Sequence, residues 1–206
     1  MDILEKIFGS AAKVKIMRLF LFNPNTPFDL DKIIARAKIT PQAARLNIRL
    51  LDQARMIRSR GFVKEERRVG KNGKKVTVKK RVKGWSLDDS FPYLDQLQRF
   101  LVQTSPLQDQ AIVRKFNRAG KVKLLVAAGV FIQDRDSRVD LLIVGDTLRK
   151  STIDSAIKDI EAELGKDLSY SVFETKDFNY RLGMYDKLIR DILDYPHKKL
   201  VNRIGV

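Results

Sequence analysis

Apolar positions recur at helical spacing in three blocks between residues 10 and 54, and each block carries its own stop signal. Ser10 stands ahead of Val14, Ile16, Met17, Leu19, Phe20 and Leu21, a broad apolar face with a capping hydroxyl in front of it. Asn23-Pro24-Asn25 ends that helix. Phe28 to Arg36 predicts a second, short helix with Leu30, Ile33 and Ile34 apolar, and Ala37 to Ile39 predicts a turn. Thr40-Pro41 reads as an N-cap with proline at the first helical position, opening a helix that runs to about Ala54. Ala44, Ile48 and Leu51 lie at i, i+4 and i+7, so they form the buried stripe. The same geometry turns Gln42, Ala43, Arg45, Leu46 and Arg49 outward.

After residue 55 the period drops to two. Met56-Ile57 starts a strand, and residues 62–69 and 75–83 flank Gly70-Lys71-Asn72-Gly73-Lys74. Glycine and asparagine supply the turn and Val76, Val78 and Val82 the strand character, which predicts a hairpin. Gly84-Trp85-Ser86-Leu87 returns the chain to a core in which Trp85 packs. Residues 91–103 predict a helix with Phe91, Leu94, Leu97, Phe100 and Leu101 on one stripe; Pro106 interrupts, and 107–119 is helical again. Core packing is the first expected use of that stripe and a homodimer seam the second.

The second half predicts strands at 121–128 and 139–144, then an amphipathic helix from Leu148 to Leu164 closed by Gly165. A third strand from Leu168 to Glu174 follows, and one helix from Asp177 to Leu193 that Tyr195-Pro196 ends. Phe178, Leu182, Tyr185, Leu188, Ile189 and Ile192 give that last helix its apolar stripe. The expected class is α+β: an N-terminal unit over 1–90, a linker helix over 91–106 and a small α+β domain over 107–206.

Composition narrows the chemistry. With 206 residues, 44% hydrophobic and 32% charged, the chain can build one large or two small packed cores. It has no cysteine and a single histidine, His197, which excludes a thiolate zinc site, a cysteine nucleophile and a multi-histidine metal site. No apolar run approaches the roughly 20 residues of a membrane span, and the first ten residues lack a signal-peptide pattern. A cytoplasmic protein without a membrane partner is therefore expected. The net charge is +16, and residues 1–90 carry 22 Lys and Arg against 9 Asp and Glu. Residues 91–206 carry 19 against 16. A positive excess held by one folded unit is the footprint of a polyanion binder. Within the hairpin, Lys64, Arg67, Arg68, Lys71, Lys74, Lys75, Lys79, Lys80, Arg81 and Lys83 are opposed only by Glu65 and Glu66. A hairpin that merely discouraged edge pairing would mix the two signs.

A short helix, a tight turn and a helix whose outer face carries Gln and Arg suit the major groove, where Arg pairs with guanine and Gln with adenine. A basic hairpin directly after such a helix is a wing, whose cations follow phosphates beside the groove. The expected DNA-binding residues are Thr40, Gln42, Ala43, Arg45, Arg49, Arg67, Arg68, Lys71, Lys74, Lys75, Lys79, Lys80 and Arg81, and the expected partner is double-stranded DNA. Over residues 8–88, and most closely over TPQAARLNIRLLDQARMI at 40–57, the chain resembles the winged helix-turn-helix of bacterial and archaeal transcription regulators. That resemblance implies a DNA-binding regulator. Members usually have glycine where Arg55 stands. RNA is a further expected polyanion, although the hairpin lacks aromatics for stacking on unpaired bases.

Residues 107–195 look like a minimal nucleotidyltransferase domain of the polymerase-beta type. The resemblance rests on a strand ending in Gly129, on Ser137-Arg138-Val139-Asp140-Leu141-Leu142 in the register of Ser-Asp-x-Asp-Leu-Leu, on the following helix, and on a strand offering Glu174. In active members a Gly-Ser turn holds the triphosphate and two carboxylates on one strand hold magnesium, with a third acid completing a two-metal arrangement. Here Val130 replaces the serine and Arg138 the first aspartate. The resemblance thus implies a nucleotidyltransferase-like fold that has lost transfer chemistry and keeps no catalytic residue, metal or cofactor. Its retained use would be ligand sensing, partner binding or dimerisation. The alternative is a working enzyme using Asp136, Asp140 and Glu174 with Mg2+ and a nucleoside triphosphate. An Arg138–Asp140 contact is the expectation that competes with metal binding.

Overall fold

The structure is a computed structural model that describes residues 3–69, 75–102, 107–134 and 136–206. It is α+β and divides into two compact units, Met1–Phe100 with Leu164–Lys166, and Leu101–Glu163 with Asp167–Val206. The first holds helices α1 (Ile3–Phe8), α2 (Ala11–Phe22), α3 (Leu30–Ala37) and α4 (Pro41–Gln53), then strands β1 (Ile57–Val69) and β2 (Lys75–Leu87). Helix α5 (Leu94–Val102) runs across the division. Pro106 and the turn at 70–74 lie outside the described residues.

Each central helix of the first unit starts on a side-chain cap, which satisfies an otherwise orphan amide. Ser10 accepts from the Lys13 amide at 3.3 Å, Asp29 from Lys32 at 2.7 Å and Thr40 from Ala43 at 3.3 Å. The predicted stripe of α4 is buried: Ala44, Ile48 and Leu51 join Ile16, Leu19, Phe20 and Ile33 in the core. Phe20 and Phe28 meet edge to face with centroids 5.6 Å apart. Phe28 and Trp85 exchange two backbone hydrogen bonds of 2.9 Å, so residue 28 adds a short third rung beside β2. Gly84 permits this approach, because a Cβ there would land on the Phe28 carbonyl and within 2.5 Å of the Phe62 ring.

Helix α4 ends on Arg55 in the left-handed region at φ 58°. The Met56 amide bonds to Leu51 O and the Arg55 amide to Asp52 O, both at 3.0 Å, the paired pattern that glycine usually closes. A glycine would suit this position, where arginine is strained. Replacing Arg55→Gly is expected to stabilise the first unit by about 1 kcal/mol, since a left-handed non-glycine residue costs roughly 1–2 kcal/mol. Trp85 is the chain's only tryptophan and lies in this unit, so a thermal melt followed by its fluorescence reads the change. An unchanged or lowered midpoint contradicts it.

The second unit holds α6 (Asp109–Phe116), β3 (Lys121–Ala127), β4 (Leu141–Asp146), α7 (Lys150–Leu164), β5 (Tyr170–Glu174), α8 (Thr175–Gly183), α9 (Lys187–Asp194) and β6 (Lys198–Asn202). Its sheet has the order β5-β4-β3-β6, with β4 and β5 parallel and the other pairs antiparallel. On one face Leu124, Val126, Leu142 and Val144 pack with Phe178, Ile189 and Ile192 of α8 and α9. Leu125, Leu141 and Ile143 alternate to the other face. There the Tyr170 hydroxyl donates to Asp154 of α7 at 2.9 Å, and Lys115 of α6 pairs with Glu163 of α7 at 2.8 Å.

Two sequence expectations fail here. The single helix over 177–193 is two helices, α8 and α9, broken at Met184 and Tyr185. Tyr185 has φ 55° and is 74% exposed rather than part of the stripe, and Asp186 caps α9 by accepting from the Leu188 and Ile189 amides. The sheet also has a fourth strand, β6, where no alternating run is long enough to register as a strand.

Candidate nucleic-acid interface

Helix α4 presents a polar face that its own packing leaves open. Gln42, Arg45 and Arg49 stand at i, i+3 and i+7, all exposed, because the opposite face is spent on Ala44, Ile48 and Leu51. None of the three has a hydrogen-bond or ion-pair partner among the described residues. Leu46 lies on the same side, 57% exposed, an apolar group beside two guanidiniums. Thr40 is exposed but its hydroxyl is engaged at the helix cap. Ala43 is half-buried, and its carbonyl accepts from the buried Asn47 side chain at 2.8 Å. Gln42, Arg45 and Arg49 are therefore the free members of the expected set on this helix.

The hairpin register sorts its cations into two faces. Val63 pairs with Arg81, Lys64 with Lys80 and Glu65 with Lys79. Alternation puts Lys79, Arg81 and Lys83 on one face with Val63 and Glu65, and Lys80 on the other with Lys64. The expected trio Lys79, Lys80 and Arg81 is split, and Lys83 takes the place of Lys80 beside the other two. Period-two spacing in the sequence already carried that signal. All four are exposed, and Lys79 lies 3.8 Å from Glu65. Arg67, Arg68 and Lys75 have places in the strand register; their side chains, and the whole of Lys71 and Lys74, lie outside the described residues.

Lys64 is committed elsewhere. Its ammonium donates to Asp29, the cap of α3, and so fastens the hairpin to that helix. Burial alone would push the Asp29 carboxyl up; hydrogen bonds from Lys64 and the Lys32 amide, with the charges of both lysines, outweigh it and hold the group below its ordinary value. The remaining hairpin cations face carboxylates only at Glu65 among the described side chains.

The second unit does not gather the three carboxylates of the alternative reading. Asp140 precedes β4 and is 7% exposed. One of its oxygens accepts from the Val130 amide at 2.8 Å and the other from the Ser169 amide at 2.9 Å, so the group staples the turn after β3 to the segment that leads into β5. Gly129, at φ 52°, leaves room for it; a Cβ would strike Asp140 Oδ1. Glu174 is in register with Gly145, at the far end of β4. Five residues of strand separate it from Asp140, about 16 Å at 3.3 Å per residue, too far to share a cation. Asp136 sits on the loop and its amide donates to Asp134 at 3.0 Å. Arg138 does not contact Asp140 as expected; its guanidinium pairs with Asp191 of α9. Among the described residues no group of three acids or histidines could hold a metal. No helix among the described residues is long and apolar enough to cross a membrane.

The chain matches no protein-family model, no curated protein and no solved structure.

Proposed function

We propose that this chain is a DNA-binding transcriptional regulator whose first unit is a winged helix-turn-helix. The observation that carries the reading is the free, one-sided set Gln42, Arg45 and Arg49 on a helix held at both ends by caps. Three further features support it. Helices α2, α3 and α4 precede the hairpin in the order such domains use, and the Phe28–Trp85 bridge supplies the short third strand beside the wing. The charge excess lies in this part of the chain, and Lys79, Arg81 and Lys83 share one hairpin face where phosphates can be met in sequence. Arg45 and Arg49 then read guanine edges, Gln42 an adenine edge, and Leu46 a thymine methyl.

In this reading the second unit senses a ligand, holds a partner or joins two copies. Its one inherited carboxylate, Asp140, is occupied by two amides, which favours a structural over a catalytic use.

Fluorescence polarisation with a labelled duplex at 50 and 200 mM salt tests the proposal. If about four phosphates are neutralised, affinity falls roughly a hundredfold across that range. Replacing Lys79, Arg81 and Lys83 with alanine is expected to weaken all sequences alike and to lower the salt slope by about three, one per lost phosphate contact. The same triple change leaving both slope and affinity intact would remove the wing from the interface. Tighter binding to an RNA hairpin or single strand than to any duplex would redirect the reading to RNA.

A further inference from the structure

We propose that the open edge of β5 takes up an extended basic peptide as a further strand of the second unit's sheet. β5 is an outer strand in the order β5-β4-β3-β6 and pairs only with β4. The Ser169 carbonyl accepts from the Leu141 amide at 3.2 Å, which sets the phase of that ladder. Backbone groups alternate along a strand, so those of Ser171 and Phe173 turn to β4 and those of Tyr170 and Val172 turn outward. Among the described residues no group hydrogen-bonds to the Tyr170 or Val172 backbone from outside. Each of these two residues is 37% exposed.

Such an edge is a template for another chain, and proteins ordinarily blunt it with lysine, proline or a bulge. The opposite edge of the same sheet is blunted in this way. β6 carries Lys198 and Lys199, and its ladder with β3 shifts register between Leu125 and Val126. The side chains of Lys199 and Asn202 also hold the Val206 carbonyl against it, at 2.6 and 2.7 Å. β5 has none of these guards: its sequence is Tyr-Ser-Val-Phe-Glu, and its ladder is regular.

The chemistry beside the open edge selects the occupant. A groove of about 380 Å³ runs there, with Leu148, Ile153 and Val172 in its apolar lining. Three of its four charged residues are acids, Asp154, Glu174 and Asp177 against Lys150, in a chain whose net charge is +16. Asp154 accepts from the Tyr170 hydroxyl at 2.9 Å. Glu174 and Asp177 have no ion-pair partner among the described residues. A strand that alternates apolar and cationic side chains therefore matches the groove: its main chain pairs with Tyr170 and Val172, and its cations meet the carboxylates. A second copy of β5 fits worse. Antiparallel self-pairing about Val172 would set Glu174 of one copy opposite Tyr170 of the other, whose hydroxyl holds Asp154, and so gather like charges. The inference gives the second unit a partner of stated chemistry and stands whether or not the first unit binds DNA.

Fluorescence polarisation of the full chain with a short labelled peptide of alternating lysine and valine tests it. That peptide is expected to bind at least tenfold tighter than an isomer with its lysines in one block and its valines in another. Methylating the backbone amides of the lysines, or those of the valines, blocks opposite edges of the added strand. One methylated peptide is therefore expected to lose at least tenfold in affinity and the other to stay within about threefold of the parent. A Glu174→Gln, Asp177→Asn double variant is expected to weaken the parent peptide about tenfold; both side chains are exposed, and Glu174 makes no side-chain cap bond to α8. The proposal is overturned if the block isomer binds as well as the alternating peptide. It is equally overturned if the two methylated peptides bind alike, or if the double variant binds the parent peptide unchanged.

Discussion

Alanine at both Arg45 and Arg49 is expected to lower affinity for a selected duplex by about 2–6 kcal/mol, because each guanine-reading arginine contributes roughly 1–3 kcal/mol of discrimination. That corresponds to a loss between about thirtyfold and about 25,000-fold. Affinity for random duplex should change far less, since the hairpin cations remain to meet phosphates. The two side chains are exposed and have no partner among the described residues, so their removal leaves the core stripe Ala44, Ile48 and Leu51 in place. Alanine is at least as good a helix former as arginine, which protects the fold from the substitution. The measurement is selection of bound duplexes from a random pool, followed by polarisation of selected and scrambled sites for wild type and variant. An unchanged ratio between the two sites would show that α4 reads no bases.

The second large effect lies at Gly84. Replacing Gly84→Ala is expected to destabilise the first unit by about 3 kcal/mol, combining overpacking of roughly 1–3 kcal/mol with the loss of bridge hydrogen bonds near 1 kcal/mol each. The new methyl meets the Phe28 backbone, which cannot rotate away as a side chain would, and the Phe62 ring at 2.5 Å. The chain must then separate at the Phe28–Trp85 bridge, where two hydrogen bonds of 2.9 Å join the segment before α3 to the base of the hairpin. Chemical denaturation followed by Trp85 fluorescence checks this, because the probe sits in the affected bridge. A midpoint equal to that of wild type would mean that the base of the hairpin yields without cost. Gly61, four rungs nearer the turn than Ile57, has only the flexible Arg81 side chain near it, so alanine there provides the contrasting control.

What the sequence disclosed follows from which features are local. The helical period placed α2, α3 and α4 and identified the buried stripe of α4, and caps marked the starts of α2 and α4, since amphipathicity and capping are written within a turn or two of chain; the second helix begins at Leu30 on Asp29 rather than at Phe28, whose backbone is bridged to Trp85. The hairpin was legible for the same reason. Side-chain commitments were not. Lys64 reads as one more hairpin cation until the fold brings Asp29 against it, and Asp140 reads as a metal ligand until the Val130 and Ser169 amides close on it. Arg138 likewise finds Asp191, fifty-three positions onward, instead of its neighbour two residues away. The break between α8 and α9 had a local signal in Gly183 and Asp186. Counting Tyr185 as apolar carried the helical period straight through it. Strand β6 is too short to show a period, and its pairing with β3 is a long-range event.

Asp29 gives the first unit a single fastening with two loads. It begins α3 through the Lys32 amide and roots the hairpin through Lys64, and its carboxyl is held below the ordinary value. A depressed carboxyl contributes stability that is complete above the ordinary pKa and disappears as pH falls through the depressed one. One proton, taken up there below the ordinary carboxyl range, therefore weakens the start of the helix and the root of the hairpin together, while the backbone bridge between residues 28 and 85 holds.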